Sequence, residues 1–118
     1  MNARILAAKR SAVCPSGGAF KQCSIEALAA PVIAALLDAA GVAAEEVDEV
    51  ILGNALGAGG NPARRVALAA GLPESVAGLT LDRQCASGLD ALRIAAAMVD
   101  SGQARVIIAG GAESHSTR

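Results

Sequence analysis

Aromatic residues are almost absent from this chain, which contains one phenylalanine and neither tryptophan nor tyrosine. Charge is sparse as well, since 18% of the residues are charged and the formal net charge is −1. Proteins that bind nucleic acid carry basic patches, often with aromatic side chains on which bases stack. The composition therefore predicts no nucleic-acid partner.

Long apolar runs are also missing. The longest charge-free apolar stretch, residues 27–37, is too short to cross a bilayer, so we expect no membrane association. The three cysteines are an odd number at spacings that match no metal motif, which predicts reduced thiols and no bound metal. The first 25 residues hold basic but no acidic side chains, faintly like a transit peptide, yet residues 3–8 fit a strand better. We therefore expect a cytoplasmic protein.

Small and apolar residues dominate the composition of the chain. Hydrophobic residues make up 53% of its 118 residues, many of them alanine, and there are 13 glycines. Such a composition is unusually apolar for an independent domain of this length. It predicts the interior of a larger protein.

Strand and helix signals alternate along the chain. The predicted strands are Ile5–Ala7, Val47–Leu52, Leu79–Leu81 and Arg105–Ala109. Helices are predicted at about Ser24–Ala40, from Asn61 as N-cap to Gly71, and at about Ser87–Ser101. Alternation of this kind predicts an α/β fold with a mostly parallel sheet.

The third predicted helix carries its polar residues Asp90, Arg93 and Asp100 on one narrow stripe. The rest of its circumference is apolar, the pattern of a helix buried between layers. Cys85 stands just before this helix, after a β-prone stretch and a turn. Free N–H groups and aligned peptide dipoles at a helix start favour a thiolate, which is the nucleophilic form of cysteine. From these residues alone, a cysteine that merely packs remains an equal alternative.

A glycine-rich segment, residues 53–62, follows a predicted strand and opens a helix. Its glycines do not fit the spacing of a dinucleotide-binding fingerprint, and the chain has no phosphate-binding Gly-Lys-Ser/Thr. We therefore interpret the segment as a loop. Arg64 and Arg65, just beyond it, are expected to be a helix-surface pair, with Arg64 the more structural of the two.

The string Asp82-Arg83-Gln84-Cys85-Ala86-Ser87-Gly88-Leu89, followed by Arg105-Val106-Ile107-Ile108-Ala109-Gly110-Gly111-Ala112-Glu113-Ser114, resembles the N-terminal half of the thiolase family of acyltransferases. Further segments match the family in order and spacing: residues 10–12, 18–20, 47–53 and 60–64. The likeness covers almost the whole chain. It implies a partial thiolase N-terminal domain over residues 1–118, with the rest of the fold absent.

The resemblance also implies a chemistry. In the family, a cysteine thiolate attacks an acyl- or 3-ketoacyl-coenzyme A and holds the acyl group as a thioester. Cys85 matches that nucleophile, and its backbone N–H would contribute to the oxyanion hole. Gly88 would allow close backbone packing there, Ser87 could cap the exposed N–H groups, and both would support the turn. The coenzyme A thioester is the substrate, no separate cofactor is implied, and a full-length protein would form a homo-oligomer in fatty acid metabolism.

Some features depart from the family. Asp82 stands where a small neutral polar residue is usual, and near Cys85 its charge would oppose the thiolate. The family's activating histidine and second cysteine lie beyond the matched region, and His115 matches neither histidine motif. The isolated chain is therefore expected to be inactive. Two alternatives stay open: a fragment of a ketoacyl-synthase-like condensing enzyme, or a non-catalytic truncated partner of an intact subunit.

Overall fold

The computed structural model describes residues 2–117. In chain order its main elements are α1 (Ile25–Ala40), β1 (Glu49–Gly53), α2 (Pro62–Ala69), β2 (Ala77–Leu81), α3 (Ser87–Asp100) and β3 (Ile107–Gly111). Single 3₁₀ turns lie at Ala44–Glu46 and His115–Thr117. The three helices occupy the predicted stretches of sequence.

Local sequence explains where the first two helices begin and end. The Ser24 hydroxyl accepts a hydrogen bond from the Ala27 N–H (3.1 Å) and caps α1, which ends at Gly41 in the left-handed region (φ 67°). Pro31 lies inside α1. Asn61 caps α2, and Pro62 occupies its first turn, where a missing N–H costs nothing.

The three strands form one parallel sheet in the order β2-β1-β3. In this register Ile51 at the centre of β1 lies opposite Leu79 of β2 and Ala109 of β3. The predicted α/β architecture with a parallel sheet is confirmed. Strands β1 and β3 begin two residues later than predicted, because the Asp48 carboxylate accepts hydrogen bonds from the Arg105 and Val106 N–H groups just before β3.

Helices cover both faces of the sheet. Val50 and Leu52 point to α1 and α2, where they join a core that includes Ile33 and Val66. Ile51 points the other way and packs against α3 in a smaller cluster completed by Ala91 and Ala95. This arrangement gives three layers, with β1 buried in the middle.

The predicted strand at Ile5–Ala7 is wrong. Residues 2–15 have no regular secondary structure, and the side chains of Ile5 and Leu6 are 81% and 65% exposed. The apolar pattern favours extended backbone, but a strand exists only where a neighbour supplies the hydrogen-bond ladder. Within the described residues no strand pairs with this segment or with the outer edge of β3.

Helix α3 is covered on one face only. Leu89 and Leu92 are 73% and 45% exposed, and together with the N-terminal segment and β3 they line an apolar cleft of about 820 Å³. The sequence pattern predicted a helix buried all round, and within residues 2–117 the second covering layer is not supplied. None of the helices described is both long enough and apolar enough to traverse a bilayer.

Candidate active site

The sheet topology creates a crevice at the carboxyl ends of the strands. The chain leaves β1 towards α2 on one face of the sheet, and leaves the adjacent β2 towards α3 on the other. Ligands of open α/β sheets bind where neighbouring connections diverge in this way. Cys85 lies in the short turn between β2 and α3, at this edge.

The turn that presents Cys85 is held by side chains. The Asp82 carboxylate accepts a hydrogen bond from the Gln84 N–H (2.8 Å). The Ser87 hydroxyl accepts from the Arg83 N–H (2.8 Å) and donates to the Gln84 carbonyl (2.6 Å). Gln84 has φ 53° and is the sole non-glycine residue with positive φ among those described. A non-glycine residue rarely adopts this conformation, so these bonds keep a strained backbone in place immediately before Cys85.

Cys85 is an exposed free thiol at the start of α3. The N–H groups of Ala86 and Ser87 close the turn by donating to the carbonyls of Arg83 and Gln84 (3.1 and 3.2 Å). The Cys85 N–H, in contrast, has no acceptor within residues 2–117. Helix α3 has no side-chain cap, because the N–H group that the Ser87 hydroxyl caps is that of Arg83 in the turn and not one of the helix. The helix N-terminus therefore remains available to an anion.

Glycines allow α3 to start against the end of the sheet. A Cβ atom on Gly53 would lie 2.5 Å from the Ser87 Cβ and 2.8 Å from the Gly88 nitrogen, distances that no real contact tolerates. Gly88 itself faces Gly111, and an added Cβ there would make ordinary contact at 3.8 Å. The close approach that the resemblance assigned to Gly88 is thus enforced most strictly by Gly53 at the end of β1.

Cys85 opens onto a cavity of about 260 Å³. Its lining consists of Gly53, Gln84, Cys85, Ser87, Gly88, Gly111, Ala112 and Glu113. The structure thus brings Cys85, Ser87 and Gly88 together as predicted. Asp82 and His115 are not part of the lining. Glu113 is, and sequence reasoning missed this role, although its position just after β3 places it at the same edge of a parallel sheet.

An ion cluster flanks the turn. The Asp90 carboxylate, in the first turn of α3, lies 2.7 Å from Arg93 Nε and 3.1 Å from Arg83 Nε. Its hydrogen bond with Arg93, supported by the charges of Arg83 and Arg93, holds the pKa of Asp90 below its ordinary value. Arg83 is therefore paired with Asp90 on the helix rather than with Asp82.

Arg64 and Arg65 are not a simple surface pair, so that part of the expectation is wrong, whereas the structural role expected of Arg64 is confirmed. The Arg64 guanidinium donates to the carbonyls of Glu74 (2.9 Å) and Val76 (2.7 Å), just before β2. The Arg65 guanidinium donates to the carbonyls of Ala58 and Gly59 in the glycine-rich loop and pairs with Glu26 of α1 at 2.9 Å. Both arginines fix backbone that has no partner in the sheet.

A cysteine at the start of a helix, above the carboxyl edge of a parallel sheet, is typical of enzymes that use a thiolate nucleophile. Comparison with known proteins narrows this class. The family described as "Thiolase, N-terminal domain" matches residues 3–118. The chain belongs to the thiolase family.

Among curated relatives, the provisionally named acetyl-CoA C-acetyltransferase YhfS of Bacillus subtilis (strain 168) is 51% identical over 98% of this chain and 31% of its own length. The provisionally named acetyl-CoA C-acetyltransferase VraB of Staphylococcus aureus (strain COL) is 43% identical over 95% of this chain and 30% of its own. A crystal structure of the Bacillus anthracis acetyl-CoA acetyltransferase superimposes with a TM-score of 0.91 at 44% identity, covering 93% of this chain and 28% of that one. The chain spans about a third of the length of the relatives it matches.

Proposed function

We propose that this chain carries the nucleophile of a thiolase-type acyltransferase, and that Cys85 is that nucleophile. The observation that carries the proposal is the presentation of the Cys85 thiol by a strained, side-chain-braced turn at an uncapped helix start. The names of the relatives refer to acetyl-CoA. They therefore favour an acyl-CoA thioester as the substrate over the acyl substrates of a ketoacyl-synthase-like condensing enzyme.

In the proposed step the Cys85 thiolate attacks the carbonyl carbon of an acyl- or 3-ketoacyl-coenzyme A. The carbonyl oxygen takes up negative charge, and the Cys85 N–H, which has no acceptor within the described residues, is free to donate to it. The tetrahedral intermediate collapses with loss of the leaving group, and the acyl group remains on sulfur as a thioester. From an acyl-coenzyme A the leaving group is the coenzyme A thiolate. From a 3-ketoacyl-coenzyme A attacked at its keto carbon, the bond between C2 and C3 breaks and the leaving group is the enolate of acetyl-coenzyme A, which takes up a proton.

Turnover needs more than this nucleophile. A positioned acid or base contributes about 10²–10⁴-fold in such chemistry, and neither Asp82 nor His115 lines the Cys85 cavity. We therefore propose that the chain alone supports acylation at most, and that the remaining groups come from the two thirds of the family's length that it does not match.

Limiting alkylation with iodoacetamide, followed by peptide mapping, tests the assignment of the nucleophile. Cys85 should be labelled first, because it is exposed at a helix start, whereas Cys14 and Cys23 are half-buried and precede α1. A Cys85→Ser variant should leave the labelling of the other two cysteines unchanged. Preferential labelling of Cys14 or Cys23 in the folded chain would contradict the proposal.

A further inference from the structure

Glu113 joins the two segments that leave the central and outer strands of the sheet. One of its oxygens accepts from the Asn54 side-chain amide (2.6 Å) and from the N–H groups of Ala55 (3.1 Å) and Leu56 (3.3 Å). The other oxygen accepts a second bond from the Ala55 N–H (3.0 Å). A single carboxylate thus accepts hydrogen bonds from two consecutive backbone N–H groups that lie outside the helices and strands.

Asn54 completes the connection from the other side. Its side chain is buried, with 7% of the residue exposed, and its amide nitrogen also donates to the Ala112 carbonyl (2.9 Å). Its side-chain oxygen accepts from the Gly57 N–H (3.0 Å). The Glu113 carboxylate accepts four hydrogen bonds from residues 54–56, so Glu113 is the centre of this network.

The network forms one side of the Cys85 cavity. Glu113 lines that cavity together with Gly53, which immediately precedes Asn54, and with Gly111 at the end of β3. The turn that carries Cys85 forms another side of the cavity. The distance between the two sides therefore depends on how firmly the loop after β1 is held to the loop after β3.

We propose that Glu113 is a positioning residue for the cavity that receives the acyl group. It acts by holding residues 54–57 against the end of β3, so that the side of the cavity facing Cys85 is rigid before a thioester enters. The proposal rests on the function proposed above.

The bonds of Glu113 distinguish this role from proton transfer. Both of its oxygens accept from N–H donors of the protein, whereas a general base needs an oxygen aimed at the reacting group. The other carboxylate near the turn, Asp82, is bonded to the Gln84 N–H and does not line the cavity. Glu113 is thus a hydrogen-bond acceptor for the loop rather than a catalytic residue.

Two variants of Glu113 distinguish the loss of its hydrogen-bond acceptors from the loss of its negative charge. Glu113→Ala removes every bond of the carboxylate, whereas Glu113→Gln retains an oxygen that can accept from Asn54, Ala55 and Leu56. Glu45→Ala serves as the control, because it removes the same charge from an exposed 3₁₀ turn in which Glu46, and not Glu45, makes the side-chain hydrogen bond.

Three rates should be measured on the 118-residue chain and its variants: backbone amide exchange at residues 55–57, alkylation of Cys85 by iodoacetamide, and acetylation of Cys85 by acetyl-CoA. In Glu113→Ala we expect exchange at residues 55–57 to rise by about tenfold or more, as local opening becomes easier. Acetylation should fall several-fold relative to alkylation, because only the thioester must fit the cavity. Glu113→Gln should stay close to the parent chain in exchange and in the ratio of acetylation to alkylation.

Several results would overturn the proposal. Unchanged exchange in Glu113→Ala would show that the carboxylate does not hold the loop. A parallel loss of acetylation and alkylation would indicate a chemical role instead. Glu113→Gln as impaired as Glu113→Ala would show that charge is what matters. If Cys85 of the parent chain were not acetylated at all, the proposed function would fail, while the exchange data would still test the connection between the loops.

Discussion

Replacing Gly53 with alanine should disrupt the candidate site, because Gly53 lies directly against the start of α3. The added Cβ would lie 2.5 Å from the Ser87 Cβ, 2.6 Å from the Ser87 carbonyl carbon and 2.8 Å from the Gly88 nitrogen. Ordinary contacts between carbon atoms are about 3.5–4.0 Å. Since two of the three atoms belong to backbone, no side-chain rotation can relieve the clash, and α3 must move away from β1 by about 1 Å.

The expected cost can be estimated from this geometry. Overpacking in a well-packed interior costs about 1–3 kcal/mol, and a clash with backbone belongs at the upper end of that range. Movement of Ser87 also strains its two hydrogen bonds to the turn, each with a net value of about 0.5–1.5 kcal/mol. We expect a total loss of about 3 kcal/mol, which at a urea dependence of about 1–3 kcal/mol per molar lowers the unfolding midpoint by about 1–3 M.

Urea unfolding followed by far-UV circular dichroism is the suitable assay, because the chain lacks tryptophan and tyrosine as fluorescent reporters. Gly110→Ala is the matched control: Gly110 lies on neighbouring β3, and an added Cβ there meets nothing within 4 Å. It should be neutral or stabilise by up to about 1 kcal/mol, since alanine narrows the unfolded ensemble. If Gly53→Ala proved as stable as Gly110→Ala, the close approach of β1 and α3 would be refuted.

The remaining predictions concern pH and turnover. Burial, followed by the neighbouring charge of Asp48, raises the pKa of Glu49 above its ordinary value of 4.5, so Glu49→Gln should stabilise the chain at neutral pH. This gain should be lost as the pH falls through the raised pKa of Glu49 and should be gone at about 4.5. The Asp48 pKa is lowered from 3.8 by backbone hydrogen bonds from Arg105 and Val106, so Asp48→Ala should cost about 1 kcal/mol at pH 7, a difference that disappears as acid protonates Asp48 in the parent chain. If the stabilities of Glu49→Gln and Asp48→Ala, each relative to the parent chain, changed with pH in the same way, the opposite pKa shifts of the two carboxylates would be contradicted. The isolated chain should also show no acetoacetyl-CoA cleavage above background, and Cys85-dependent turnover by a monodisperse monomer would contradict the role given to the unmatched part of the family fold.

Much of the fold could be predicted because its signals are local. The ends of the helices are marked by caps and glycines. The N-caps Ser24 and Asn61 accept hydrogen bonds from N–H groups of the first helical turn, and Gly41 and Gly102 adopt the left-handed conformation that follows a helix. The strand predicted at Ile5–Ala7 failed for a non-local reason. A strand needs a neighbour, and sequence pattern alone does not reveal whether one is present.

The candidate site could be predicted where its residues are neighbours in the chain, and not where the sheet brings distant residues together. Cys85, Ser87 and Gly88 are consecutive in one motif, so their proximity follows from the chain itself. Glu113 and Gly53 reach the same cavity from different strands, and only the register of β1 with β3 brings them together. The guanidinium bonds of Arg64 and Arg65 could not be foreseen, because their acceptors are backbone carbonyls that carry no side-chain signal.

The proposed function requires that the Cys85 thiolate accept an acyl group from a coenzyme A thioester. Its most direct test is incubation of the chain with acetyl-CoA, followed by mass spectrometry of the peptides that contain the three cysteines. We expect a hydroxylamine-labile acetyl group on Cys85, formed faster than on Cys14 or Cys23, and we expect this preference for Cys85 to disappear when urea unfolds the turn of residues 82–87. Acetylation spread evenly over the three thiols, or absent from Cys85 in the folded chain, would contradict it.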